Sequence, residues 1–194
     1  MAQAAVPTAS PSDDVLLTRF AAGDAAALDE LFHRYRLVAY KVAYRLLGHE
    51  ADALDAVQDG FVNALRHLDR FRGHSSFKTW LLRVVSNAAL DLGRQRRRRD
   101  ARAAIPVPAD DPGPPDPLPP PDGNLDRADL RRLLDRALAA LPEAQRRTFV
   151  LHADGGLTYR EVADALGISI GTVMSRVFYA RQKLRAILTD QVFP

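Results

Sequence analysis

Apolar residues recur at spacings of three and four along most of this chain, and no segment alternates as a half-buried strand does. Leu28, Leu31, Phe32, Tyr35, Ala39, Val42 and Leu46 fall on one helical face, and Gly48 ends that pattern as a helix C-terminus should. The next run puts Leu54, Val57, Phe61, Leu65 and Leu68 on an inward stripe. Asp52, Asp55 and Asp59 then project from the other side, about one turn apart. A third run points Phe77, Leu81, Val84, Val85, Ala88 and Leu92 inward and lines up Arg83, Asn87 and Arg94 opposite them. Between Ile105 and Asn124 proline is dense enough to prevent helix and sheet, so this stretch reads as an extended, semi-stiff tether. Helical patterns resume at Leu125. The predicted fold is all-α: two small helical domains joined by a Pro-rich flexible linker, the C-terminal one containing a helix-turn-helix. The expected divisions are a disordered leader at 1–12, a first domain at 13–99, an acidic linker at 100–124 and a second domain at 125–190.

The helix-turn-helix is carried by "TYREVADALGISIGTVMSR", Thr158 to Arg176. Thr158 and Glu161 have the spacing of a capping box, so a helix starts there. Val162, Ala163 and Leu166 supply its inner side, and Gly167 stops it by accepting a positive φ. Ser169 caps the following helix. In that helix Val173, Val177, Ala180 and Leu184 face the core. At about 100° per residue, Gly171, Ser175, Phe178, Tyr179 and Gln182 face outward, flanked by Met174, Arg176 and Arg181. A recognition helix needs such a face: small at its entry to the groove, then hydrogen-bonding, aromatic and cationic.

Composition narrows the class. The chain has 194 residues, 47% of them hydrophobic, enough for packed cores but with no run approaching a membrane span. The N-terminus has neither a basic start nor an apolar stretch, so no signal peptide is expected, and a cytoplasmic location fits the absence of cysteine. The net charge is only +3, so distribution matters more than the total. Basic residues gather at Arg94–Arg99 and along the last helix. The Arg94–Arg99 run is either a solvated charge cluster or, should the helix before it face DNA, a source of salt-sensitive phosphate affinity. No Gly-rich phosphate loop, nucleophile elbow or metal-ligand spacing among the five histidines is present, so neither catalysis nor a metal or other cofactor is expected.

The run "LPEAQRRTFVLHADGGLTYREVADALGISIGTVMSRVFYARQKL" resembles the fourth conserved region of bacterial sigma-70-type RNA polymerase sigma factors, in its compact extracytoplasmic-function (ECF) group. "DALDAVQDGF" and "FRGHSSFKTWLLRVVSNAALDLGR" resemble that group's second region. The two stretches stand in the right order around a variable linker and cover most of the chain, with no segment long enough for the extra domains of larger sigma factors. The resemblance implies a transcription initiation factor that binds core RNA polymerase and directs it to promoters, under the control of an anti-sigma factor, with no membrane insertion of its own. It assigns the −35 element to Ser169, Gly171, Thr172, Met174, Ser175, Arg176, Phe178, Tyr179 and Arg181. Met174 has no hydrogen to donate, so shape readout shares the work there. The −10 element, melted and held, falls to Phe71, Arg72, Gly73, His74, Ser75, Ser76, Phe77, Lys78, Arg83, Asn87 and Arg94, with Trp80 read as a core residue fixing the loop. Asp52, Asp55, Gln58 and Asp59 are implied to meet the clamp helices of the polymerase largest subunit, its flap region being a further partner. Acids on a DNA-binding domain suit a basic protein rather than DNA. Gly60, inside the same helix, costs up to about 1 kcal/mol against alanine, and nothing in the sequence accounts for it. The acidic stretch Asp110 to Pro121 is either a nucleic-acid mimic or a plain spacer.

Three other classes fit this sequence less well. A conventional helix-turn-helix regulator would bind its operator alone, usually as a dimer, and would leave the DNA-facing pattern of the N-terminal half unexplained. An enzyme lacks its chemistry here. A pure interaction protein has no use for two DNA-reading faces.

Overall fold

Several helix starts in this chain follow from side chains that satisfy the free backbone groups at helix ends. The computed structural model describes residues 10–103 and 127–192. Among them every regular element is helical: α1 (Asp13–Ala21), α2 (Ala25–Leu47), α3 (Glu50–Arg66), a short 3-10 turn (Leu68–Arg70), α4 (Phe77–Ala103), α5 (Arg127–Ala139), α6 (Glu143–Ala153), α7 (Tyr159–Leu166) and α8 (Ile170–Val192). Ser12, Ser76, Thr158 and Ser169 each accept a backbone N–H three residues on, at the starts of α1, α4, α7 and α8. The expected leader and linker lie largely outside the described residues. Where the linker was expected to begin, at 100, α4 continues to Ala103.

The chain divides into two compact units between Leu37 and Val38. In the first, Leu16, Ala27, Leu28 and Leu31 are buried. Asp13 there takes an ion pair from Arg34 at 2.7 Å and a hydrogen bond from the Tyr35 hydroxyl. Burial, and then the bond to Asp13, push that hydroxyl above the usual phenol range.

In the second unit α3 packs along α4, but not on the stripe that the sequence suggests. The buried positions of α3 are Ala53, Ala56, Gly60 and Ala64, while Leu54, Val62 and Leu65 are exposed. The reason is close approach. A Cβ on Gly60 would lie 2.8 Å from Val85 Cγ2 and 3.0 Å from its Cα, so small residues line the contact and the larger aliphatics turn outward. Gly60 is thereby explained by packing.

α5, α6 and α7 all pack on α8, around Leu133, Leu138, Val150, Leu151, Val162, Val173, Val177, Ala180 and Leu184. The inner stripe of α8 is the one expected. On α7 the third buried residue is Ala165, with Leu166 only partly covered. α7 also packs on α4. This adds Leu82 and Ser86 to the buried face of α4, and a Cβ on Gly155 would come within 3.2 Å of Leu82. Lys41 reaches Asp154 at 3.0 Å, and Arg45 and Tyr44 both bind Asp135.

Candidate nucleic-acid and polymerase interface

The helix-turn-helix forms as its sequence requires. Thr158 and Glu161 close a reciprocal capping box, and Gly167 ends α7 at φ +64° in the left-handed region. His152 fixes the preceding turn. Its Nδ1–H donates to the Leu157 carbonyl at 2.8 Å, which leaves Nε2 to face Arg181 at 3.5 Å. The ring also lies 4.6 Å from that of Tyr159. Beyond the turn, Ser169, Gly171, Met174, Ser175, Phe178, Tyr179 and Arg181 are exposed, and Thr172 and Arg176 are half-buried. All nine expected −35 residues thus lie in the N-terminal half of α8 or at its cap.

The expected −10 residues divide into three groups. Arg72, Gly73 and His74 are exposed at the tip of the loop, where Gly73 takes φ +70°. Phe71 packs against Phe77 and Trp80, with ring centroids 5.9 and 5.4 Å away. Phe77 is 2% exposed, facing inward as its place on the apolar stripe of α4 predicts, so it anchors the loop and presents no ring to DNA. Trp80 takes the anchoring place expected of it. Ser76 is committed to capping α4, its Oγ accepting the Thr79 N–H at 3.1 Å. Ser75 sits beside it, half-buried. The remaining four lie along α4, and among the described residues three of them bond to the C-terminal part of the chain. Lys78 Nζ donates to the Gly156 carbonyl at 3.4 Å, Asn87 Oδ1 accepts from Arg147, and Arg94 is paired with Glu143.

Arg147 is the residue that the sequence reading missed. It stands on α6, and its guanidinium forks onto Ser86 Oγ at 2.9 and 3.2 Å and onto Asn87. Burial, with the like charge of Arg83 nearby, pushes it down to about 10, so it remains a cation at neutral pH. Glu143, one turn earlier, is held below the usual carboxylate range mainly by its hydrogen bond from Arg94, with Arg97 adding attraction at 3.3 Å. Glu161 also faces α4, where Thr79 Oγ1 donates to it at 3.2 Å. These contacts join helices far apart in sequence, and nothing in local periodicity marks them.

On α3, Asp55, Gln58 and Asp59 are exposed beside Leu54, Val62 and Leu65, and neither aspartate takes part in an ion pair among the described residues. Asp52 departs from the expected outward row, since its carboxylate is ion-paired with Arg96 of α4. The outer face of α3 is therefore acidic and aliphatic together. That composition suits a protein partner carrying cations around an apolar centre.

Residues 31–99 match the family described as Sigma-70 region 2, and residues 131–184 match Sigma-70, region 4. The chain is 38% identical over 188 residues to the ECF RNA polymerase sigma factor SigE of Mycolicibacterium smegmatis, an alignment spanning 92% of this chain and 70% of that one. It is 33% identical over 177 residues to the ECF RNA polymerase sigma-E factor of Escherichia coli K12, spanning 89% of this chain and 92% of that one. The chain belongs to the ECF RNA polymerase sigma factors. Its fold is shared with CnrH, solved in complex with the cytosolic domain of CnrY, at a TM-score of 0.69 and 29% identity over 92% of this chain and 97% of that one. It is also shared with the sigma factor RpoE of Bartonella quintana, solved with the anti-sigma factor NepR, at a TM-score of 0.61 and 28% identity over 82% and 97%. In this sigma factor α3 and α4 belong to the region 2 match, and α6, α7 and most of α8 to the region 4 match. No helix among the described residues is long and apolar enough to cross a membrane.

Proposed function

We propose that this sigma factor recruits core RNA polymerase through the acidic and aliphatic face of α3 and places the enzyme at promoters through α8 and the outer side of α4. Asp55, Gln58 and Asp59 meet basic clamp helices of the polymerase. α8 enters the major groove of the −35 element, with Arg176, Arg181 and the N-terminal turn at phosphates and Met174, Ser175, Phe178 and Tyr179 at base edges. Arg72, Gly73 and His74 close over an unstacked −10 base, and Arg83, Asn87 and Arg94 hold its strand. The regions divide at 13–99 and 125–190, joined by 100–124. The chain itself catalyses nothing; the chemistry belongs to the polymerase, and it acts in the cytoplasm with that enzyme.

The closed arrangement of the helices gives the cycle its off state. Asn87, Arg94 and Lys78 spend their polar groups on Arg147, Glu143 and the Gly156 carbonyl, so strand capture requires α6 and α7 to leave α4. An anti-sigma factor, of the kind solved with RpoE of Bartonella quintana, holds the chain from the polymerase until released.

The observation that carries this reading is the presence of both region matches, in order, on one chain. Permanganate reactivity of unpaired thymines at a promoter tests it. Core polymerase with the full chain should open the −10 element, and Asn87→Ala should reduce that reactivity severalfold while leaving core binding intact. A −10 element that stays closed in the presence of both proteins contradicts the reading.

A further inference from the structure

The outward face of α8 holds fewer polar groups for a base edge than its sequence suggests. Ser169 Oγ accepts the Thr172 N–H at 3.1 Å and shares a 2.8 Å hydrogen bond with Thr172 Oγ1. Ser175 Oγ donates to the Gly171 carbonyl at 3.0 Å. Arg181 is turned back toward His152. The hydroxyls at the entering end of the helix are thus engaged with their own backbone and with one another.

What stands free is an apolar ridge. Ile170, Met174 and Phe178 follow one another at four-residue spacing, so they rise in a single row along the helix. They are 45%, 54% and 62% exposed, and Tyr179 beside them is 55% exposed, its ring 5.5 Å from that of Phe178 and set nearly perpendicular to it. Exposed apolar side chains grouped in this way mark an interaction surface. On the same helix Arg185 continues the line of the ridge, and Arg176 and Lys183 border the opposite edge of the outward face, none in an ion pair among the described residues. An exposed apolar ridge on a helix that also carries unpaired cations fits a polyanion with an apolar group on its recognition surface. In duplex DNA that surface is the thymine methyl, which projects into the major groove.

We infer that the ridge Ile170–Met174–Phe178 sets the −35 specificity of this sigma factor by packing against thymine 5-methyl groups, with the cations supplying affinity but little choice of base. The inference rests on α8 being the −35 helix. It makes Met174, which donates no hydrogen bond, a specificity-determining residue.

The test uses holoenzyme reconstituted from bacterial core polymerase and the full chain. A −35 duplex is first selected from a randomised library. It is then compared with the same duplex carrying deoxyuridine in place of each thymidine, a change that removes only the methyl. Loss of each ridge-facing methyl should weaken binding about fourfold, the worth of one buried methylene. Met174→Ala or Phe178→Ala should bring the thymidine-to-deoxyuridine ratio close to one, whereas Arg176→Ala should weaken both probes by the same factor. A selected −35 element with no methyl dependence overturns the inference and leaves the sigma-factor reading standing. If Met174→Ala and Phe178→Ala also leave DNA affinity unchanged, the ridge belongs to a protein partner. Failure to select any −35 element overturns both.

Discussion

At the residue scale, size and charge act against what a helix would choose alone. Gly60 lowers the intrinsic stability of α3 by about 1 kcal/mol against alanine, yet a methyl there would overlap Val85. Overpacking of this kind costs about 1–3 kcal/mol, so the steric term wins. Gly60→Ala should destabilise the chain in chemical denaturation, and a stabilised variant would contradict the close α3–α4 contact. Arg147 presents the opposite case, a cation partly withdrawn from water. Hydrogen bonds to charged groups contribute about 1.5–3 kcal/mol, and exposed ion pairs such as Arg94–Glu143 about 0–1. Arg147 therefore outweighs its neighbours in holding α6 to α4. Arg147→Ala should cost more stability than Arg94→Ala, read from the same unfolding curves.

At the element scale, each helix with a strong local signal was legible. The capping box, Gly167 and the stripe Val173, Val177, Ala180 and Leu184 define α7 and α8 by themselves, because caps and periodicity are local properties. α3 was misread because alanines and a glycine carry little hydrophobic weight. They become the buried face only when a neighbour comes close enough to exclude Leu54 and Leu65. Phe77 was legible as a core residue because it opens the apolar stripe of α4. The α7 cap also responds to pH. The Thr158 N–H, with the Thr158 and Thr79 hydroxyls, holds the Glu161 carboxyl below its usual range. A depressed value in the folded chain means that Glu161 contributes its stability above about pH 4.3, the ordinary glutamate value, and loses it as pH falls through the lowered one. Glu161→Gln should be less stable than the parent at pH 7, with the gap narrowing at pH 3. A gap constant across that range would show that the carboxylate charge contributes nothing.

At the scale of the whole molecule, the two halves meet through contacts that use residues needed elsewhere. No sequence pattern reveals this, because Arg147 reaches Asn87 across 60 positions. Leu82, buried where the C-terminal helices meet α4, makes the closure partly apolar, so moderate salt should not undo it. Arg147→Ala with Glu143→Gln should enlarge the radius of gyration in small-angle scattering and raise affinity for a single-stranded −10 oligonucleotide. An unchanged profile with unchanged oligonucleotide affinity would show that these contacts do not hold the helices closed. The most direct test of the central claim is run-off transcription by core bacterial RNA polymerase on a promoter library, with and without the chain. The account expects initiation at a subset of promoters that depends on both proteins, abolished by Asp55→Arg at the polymerase face and weakened by Arg176→Ala at the DNA face. Tight promoter binding by the chain alone, with no initiation when core polymerase is added, would contradict it.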